Sequence, residues 1–122
     1  MNSIEAQRPL YEIKANLFKG LAHPLRIRAL EILAGGDEVS VTRMLEETGL
    51  EASHLSQHLA VLRRYGLVVS ERRASVVFYR LASPQVAELL RVARALLAEI
   101  VSTTHGHLTS IDTLPPIAPV TR

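Results

Sequence analysis

Apolar residues along this chain recur at helical spacing up to about residue 64, switch to strand-like runs, and return to helical spacing near residue 84. In residues 9–21, Leu10, Ile13, Leu17, Phe18 and Leu21 predict a first helix with Pro9 in its opening turn and an end near Gly20 and His23. Pro24 opens a second helix over 24–34, rich in Leu25, Ala29, Leu30, Ile32 and Leu33 and stopped by Gly35-Gly36. A short third helix is expected at about 41–47, with Ser40 as N-cap and Gly49 as a left-handed C-cap. The stretch 50–64 is amphipathic, because Leu55, Leu59 and Leu62 sit at i, i+4 and i+7 and share one face.

After Gly66 the β-branched and aromatic runs 67–72 and 76–81 predict a hairpin. Its tip, Arg73-Ala74-Ser75, lacks the Asn-Gly or Asp-Gly pair that favours a two-residue turn, so the turn type stays open. A last helix over about 84–101 carries the longest apolar stripe: Val86, Leu89, Leu90, Ala93, Leu96, Leu97, Ile100 and Val101. The elements describe a mainly α (α+β) fold: about five helices and a two-stranded β-hairpin wing in a winged helix-turn-helix. A flexible N-terminus is expected at 1–8, the folded domain at 9–103, and a flexible tail rich in Thr, His and Pro at 104–122.

A short helix, a Gly-containing turn and a second amphipathic helix form the helix-turn-helix arrangement, whose second helix enters the major groove. Across from its leucine face, 50–64 carries Ser53, His54, Ser56 and Gln57, side chains able to hydrogen-bond base edges and phosphates. His58 is expected to pack or to contact phosphate. Charge follows the same map: residues 52–80 hold five Arg against one Glu, whereas 1–51 hold six basic and eight acidic groups. Arg63, Arg64, Arg72 and Arg73 are therefore the candidate phosphate and wing contacts. The last helix has more apolar surface than a small core needs. A second copy of the chain is expected to cover it together with the first helix, through Leu10, Ile13, Leu17, Leu89, Leu90, Ala93, Leu96, Leu97 and Ile100.

With these elements placed, the chain resembles the ArsR/SmtB family of bacterial winged-helix repressors. Residues 21–30 resemble the family's entry to its second helix, 56–68 its recognition helix and turn into the wing, and 77–81 its second wing strand. The resemblance implies a homodimer that binds an imperfect palindrome in double-stranded DNA and responds to an effector. The family's usual metal ligands are absent: the stretch 39–45 holds no thiol, and the last helix lacks the Asp, His and Glu ligands seen at its start and a dozen residues on.

The chain has no cysteine, so thiolate catalysis and sulfur metal sites are excluded. No Gly-rich phosphate loop or tuned carboxylate pair points to an enzyme. No apolar run is long enough to span a membrane, and a cytoplasmic protein is expected. His54 and His58 have the i, i+4 spacing of zinc hydrolases, but Leu55 stands where that motif needs Glu. His105 and His107 are the better candidate metal ligands, suited to Ni²⁺ or Zn²⁺ as effector. The alternative function is a dimer of the same fold that senses no metal or acts as a co-regulator through a protein partner.

Overall fold

The computed structural model describes residues 7–103. Helix α1 (Arg8–Leu21) begins one residue before Pro9, with Gln7 at its N-cap. Its C-terminal carbonyls are captured by Arg26, whose Nε donates to Gly20 O at 2.7 Å and whose Nη2 donates to Lys19 O at 3.3 Å. A cation at this end also opposes the negative pole of the helix. Helix α2 (Pro24–Ala34) starts on His23, whose Nδ1 accepts from the Leu25 N–H at 3.1 Å. The sequence places His23 at a helix start, and the structure gives the reason: it is the N-cap.

Strand β1 (Val39–Ser40) was not expected from the sequence. It leads into α3 (Val41–Thr48), where Ser40 Oγ accepts from Arg43 N–H at 3.1 Å and Gly49 closes the helix at φ +69°. Helix α4 (Ala52–Arg64) follows, then β2 (Val68–Arg73), β3 (Val76–Leu81) and α5 (Pro84–Thr103). The three strands form one antiparallel sheet in the order β1-β3-β2, so the wing hairpin is tied to the helical body by β1.

Side chains from four elements fill the centre. Leu30 and Leu33 of α2, Met44 of α3, Leu55, Leu59 and Leu62 of α4, and Val68 of β2 are each under 2% exposed. Burying each of these side chains contributes roughly 1.5–3 kcal/mol. The N-terminal helix meets α4 at one tight point, where Gly20 lies flat against the Tyr65 ring. A Cβ there would come within 2.7 Å of Tyr65 Cγ, so only glycine fits without a shift.

The apolar stripe of α5 divides into two. Val86, Ala87 and Leu90 are buried in the protomer. Leu90, expected at the dimer surface, is 5% exposed and belongs to the core instead, because it lies four and three residues after the buried Val86 and Ala87 and shares their face. The other stripe is open: Val92, Leu96, Leu97 and Ile100 are 42–56% exposed, and Leu10 and Ile13 of α1 are 59% and 65% exposed. Ala93 is also exposed, while Leu17 and Leu89 are half-buried against the core edge.

At the wing tip Arg73 pairs with Val76, leaving Ala74-Ser75 as a two-residue loop. Ala74 has φ +55°. A positive φ at the first loop position alone is the φ pattern of a type II′ turn, normally taken by Gly. Residues 1–6 and 104–122 lie outside the described residues, and with them the expectations for His105, His107 and the two ends of the chain.

Candidate nucleic-acid interface

The turn between α3 and α4 sets how the second helix is presented. Thr48 Oγ1 donates to Met44 O at 2.8 Å and accepts from Leu50 N–H at 3.3 Å, bridging the end of α3 into the turn beyond Gly49. Leu55, Leu59 and Leu62 then anchor α4 in the core, and its other faces turn outward: Ser53, His54, Ser56, Gln57, Arg63 and Arg64 are exposed. These six expected contacts therefore occupy the open part of one rigid helix. Ser56 also lines a cleft shared with Val41 and Thr42 of α3 and with Ser75, Val76 and Val77 of the wing.

His58 is placed differently from these six. It is half-buried, and its ring lies 4.4 Å, centroid to centroid, from that of His23, tilted by 47°. Burial lowers its pKa below the ordinary imidazole value, and His23, Arg26 and His54 nearby lower it further. The side chain thereby joins α4 to the start of α2. His54, one turn earlier, stays exposed. Among the described residues, no group of three or more His, Asp or Glu is placed to hold a metal ion.

The wing separates its two arginines. Cross-strand partners share a face, and successive residues alternate. Arg72 therefore lies on the side of Val77 and Tyr79, which faces the helical body, and Arg73 lies with Glu71 and Phe78 on the outer side. Arg72 is exposed. Arg73 is ion-paired with Glu38, and its guanidinium sits 4.0 Å above the Phe78 ring centroid. Its pKa is raised, chiefly by the hydrogen bond to Glu38. Arg73, expected among the phosphate and wing contacts, is exposed but engaged by an anion and an aromatic face.

Several residues of the surface escaped the sequence reading. Val92 completes the open stripe with Leu89 and Leu96, and its i+3 and i−4 spacing to them was the available signal. Tyr11 and Phe18 on α1 are 47% and 58% exposed. Glu38 carried no local pattern, because its partner lies 35 residues away.

Comparison with known proteins agrees with this arrangement. A helix-turn-helix domain model matches residues 21–71. The chain is 49% identical over 94 residues to Rv0081, an uncharacterized HTH-type transcriptional regulator of Mycobacterium tuberculosis, covering 77% of this chain and 82% of that one. The crystal structure of Rv0081 matches with a TM-score of 0.74 over 79% of this chain and 96% of its own. A solution structure from Mycobacterium bovis, the homodimeric winged helix-turn-helix DNA-binding domain of Mb0332, a possible ArsR-family transcriptional regulator, is 30% identical with a TM-score of 0.73. It covers 83% of this chain and 93% of that one. The chain belongs to the ArsR family of winged helix-turn-helix transcriptional regulators. A further relative, the biofilm growth-associated repressor of Xylella fastidiosa, is 40% identical over 76 residues, 62% of this chain and 66% of the other. Membership makes the chain a regulator rather than an enzyme. In the helix-turn-helix of this fold, α4 is the second helix. Among the described residues, no helix is long and apolar enough to cross a membrane.

Proposed function

We propose that this ArsR-family regulator is a homodimeric repressor that binds a palindromic operator in double-stranded DNA. The observation that carries the reading is the exposed polar face of α4, held by three buried leucines and bordered by the exposed arginines Arg63, Arg64 and Arg72. Ser53, His54, Ser56 and Gln57 have the donors and acceptors for base edges, and the arginines suit phosphates. Two such helices related by a twofold axis enter successive major grooves about 34 Å apart.

The second copy is supported by the open apolar stripe of α5 and by the exposed Leu10, Tyr11, Ile13 and Phe18 of α1. Large apolar side chains concentrated on two helices mark an interaction surface. A mostly apolar groove between α2 and α5, walled by Pro24, Ile27, Leu90, Ala93 and Leu97, continues that surface. Homodimerisation of the Mb0332 domain accords with this reading, and the Xylella relative, itself a repressor, supports repression as its sign. Modulation by Ni²⁺ or Zn²⁺ rests on the spacing of His105 and His107 alone. Operator binding with each metal, on the full chain and on one ending at Thr104, tests that part.

The direct test of the reading face compares two substitutions. Gln57→Ala is expected to weaken operator binding and to relax sequence preference, by about 1–3 kcal/mol for a bidentate base contact. Arg72→Ala is expected to weaken binding to every sequence and to reduce the salt slope by about one. Unchanged preference in Gln57→Ala would remove this face as the reader.

A further inference from the structure

The alternation of the wing places Arg72 and Arg73 on opposite sides of the hairpin, and Arg73 is ion-paired with Glu38. Glu38 directly precedes β1, whose Val39 pairs with Tyr79 of β3. That register puts Glu38 on the outer side of the sheet with Phe78 and Arg80. Arg73 reaches it across the face of Phe78, with its guanidinium 4.0 Å from the ring centroid. Glu71, opposite Phe78 and two residues before Arg73, lies on the same side and adds a second negative charge.

We propose that Glu38 is a positioning residue for DNA binding: it locks Arg73 onto Phe78 and withholds its charge from the phosphates, leaving Arg72 as the arginine the wing presents. Three contacts hold the lock. The carboxylate supplies a charge-assisted hydrogen bond, the ring supplies a cation–π face, and β1 fixes the carboxylate to the body. A phosphate must therefore compete with Glu38 for the charge of Arg73. The wing thus contributes fewer phosphate contacts than its two adjacent arginines suggest, which lowers non-specific affinity while the contacts of α4 to base edges are untouched. The inference rests on the DNA-binding reading above.

The test measures fluorescence anisotropy of a labelled duplex from the region upstream of the protein's own gene, titrated with the full chain at several salt concentrations. Each phosphate contact adds about 0.9 to the slope of log affinity against log salt, or about a 3.5-fold further loss over a fourfold rise in salt. Arg72→Ala is expected to lose that increment, and Arg73→Ala is expected to keep the wild-type slope. Glu38→Gln is expected to gain one increment and to bind several-fold more tightly at low salt, and Glu38→Gln/Arg73→Ala to return to the wild-type slope. A slope lowered as much by Arg73→Ala as by Arg72→Ala would overturn the proposal, and so would a Glu38→Gln protein with unchanged slope or weaker binding. Absence of salt-dependent binding in the wild-type protein would instead remove the DNA-binding reading itself.

Discussion

Replacing Gly20 by alanine sets two effects of opposite sign against each other at the tight approach of α1 to Tyr65, at the end of α4. Alanine in place of glycine inside a helix stabilises by about 1 kcal/mol when space is open. Here the added Cβ would lie 2.7 Å from Tyr65 Cγ, 2.8 Å from Cδ2 and 3.0 Å from Cβ. Those atoms are the root of the ring and not a flexible tip, so relief requires moving Tyr65 itself. Its backbone is fixed as the C-cap of α4, with its N–H donating to Val61 O at 3.1 Å. Overpacking of this kind costs about 1–3 kcal/mol, and because a root atom must move the upper part of that range applies. The net expectation is a loss of about 1–2 kcal/mol. For a domain of this size, each kcal/mol lowers Tm by roughly 4–8 °C. Melts at one fixed protein concentration, followed by circular dichroism, measure it, since self-association would make Tm concentration-dependent. The same substitution in a Tyr65→Ala background should be neutral or stabilising, giving a coupling of about 1–3 kcal/mol. If Gly20→Ala raises Tm in both backgrounds, the close approach of α1 to Tyr65 is not what requires glycine.

Three further outcomes follow from single observations. Ala74→Gly should stabilise the wing by about 1 kcal/mol, read as a higher Tm, because the φ of +55° at this position strains an L-residue. His58→Gln should flatten the acid limb of the stability profile. The lowered pKa of His58 means that the unfolded chain takes up the proton first, so its contribution is intact above about pH 6.5 and is lost as pH falls through the folded value. Urea titrations from pH 7.5 downward check the sign, and a wild-type protein whose stability does not fall relative to the variant would contradict it. Leu96→Glu places a charge in the open stripe of α5, where Leu96 is 55% exposed. Sedimentation should then show monomer at micromolar concentrations that keep the wild-type chain dimeric, with little change in the far-ultraviolet spectrum.

Helix periodicity carried most of the architecture into the sequence, because each helix has a local signal at both ends. Ser40 and Gly49 bracket α3 as N-cap and left-handed C-cap, and Pro24 and the glycine pair bracket α2. What stayed hidden depends on distant partners. Strand β1 is two residues long, too short for alternation to register, and exists because β3 is there to pair with it. His58 sits on the helix expected to read DNA, yet His23 turns it inward from 35 positions earlier. Arg73 was legible as a cation and not as half of an ion pair, since Glu38 lies in a connection between elements. Leu90 and Leu89 are neighbours in one apolar run, and only the docking of α5 on α2 decides that the first is core and the second lies at its edge. The candidate site was thus legible in its elements and its exposed α4 residues, while the state of individual side chains came from tertiary contacts.

Chemical-interference footprinting on the DNA upstream of the protein's own gene tests the central claim most directly. Two α4 helices presented by a twofold dimer should protect guanine N7 positions in two major-groove patches, about one helical turn apart and on the same face of the duplex. Gln57→Ala should lose protection within the patches, while Arg72→Ala should weaken both patches equally. A single patch, patches on opposite faces of the duplex, or protection unaffected by Gln57→Ala would contradict the assignment of α4 as the reading element of a symmetric dimer.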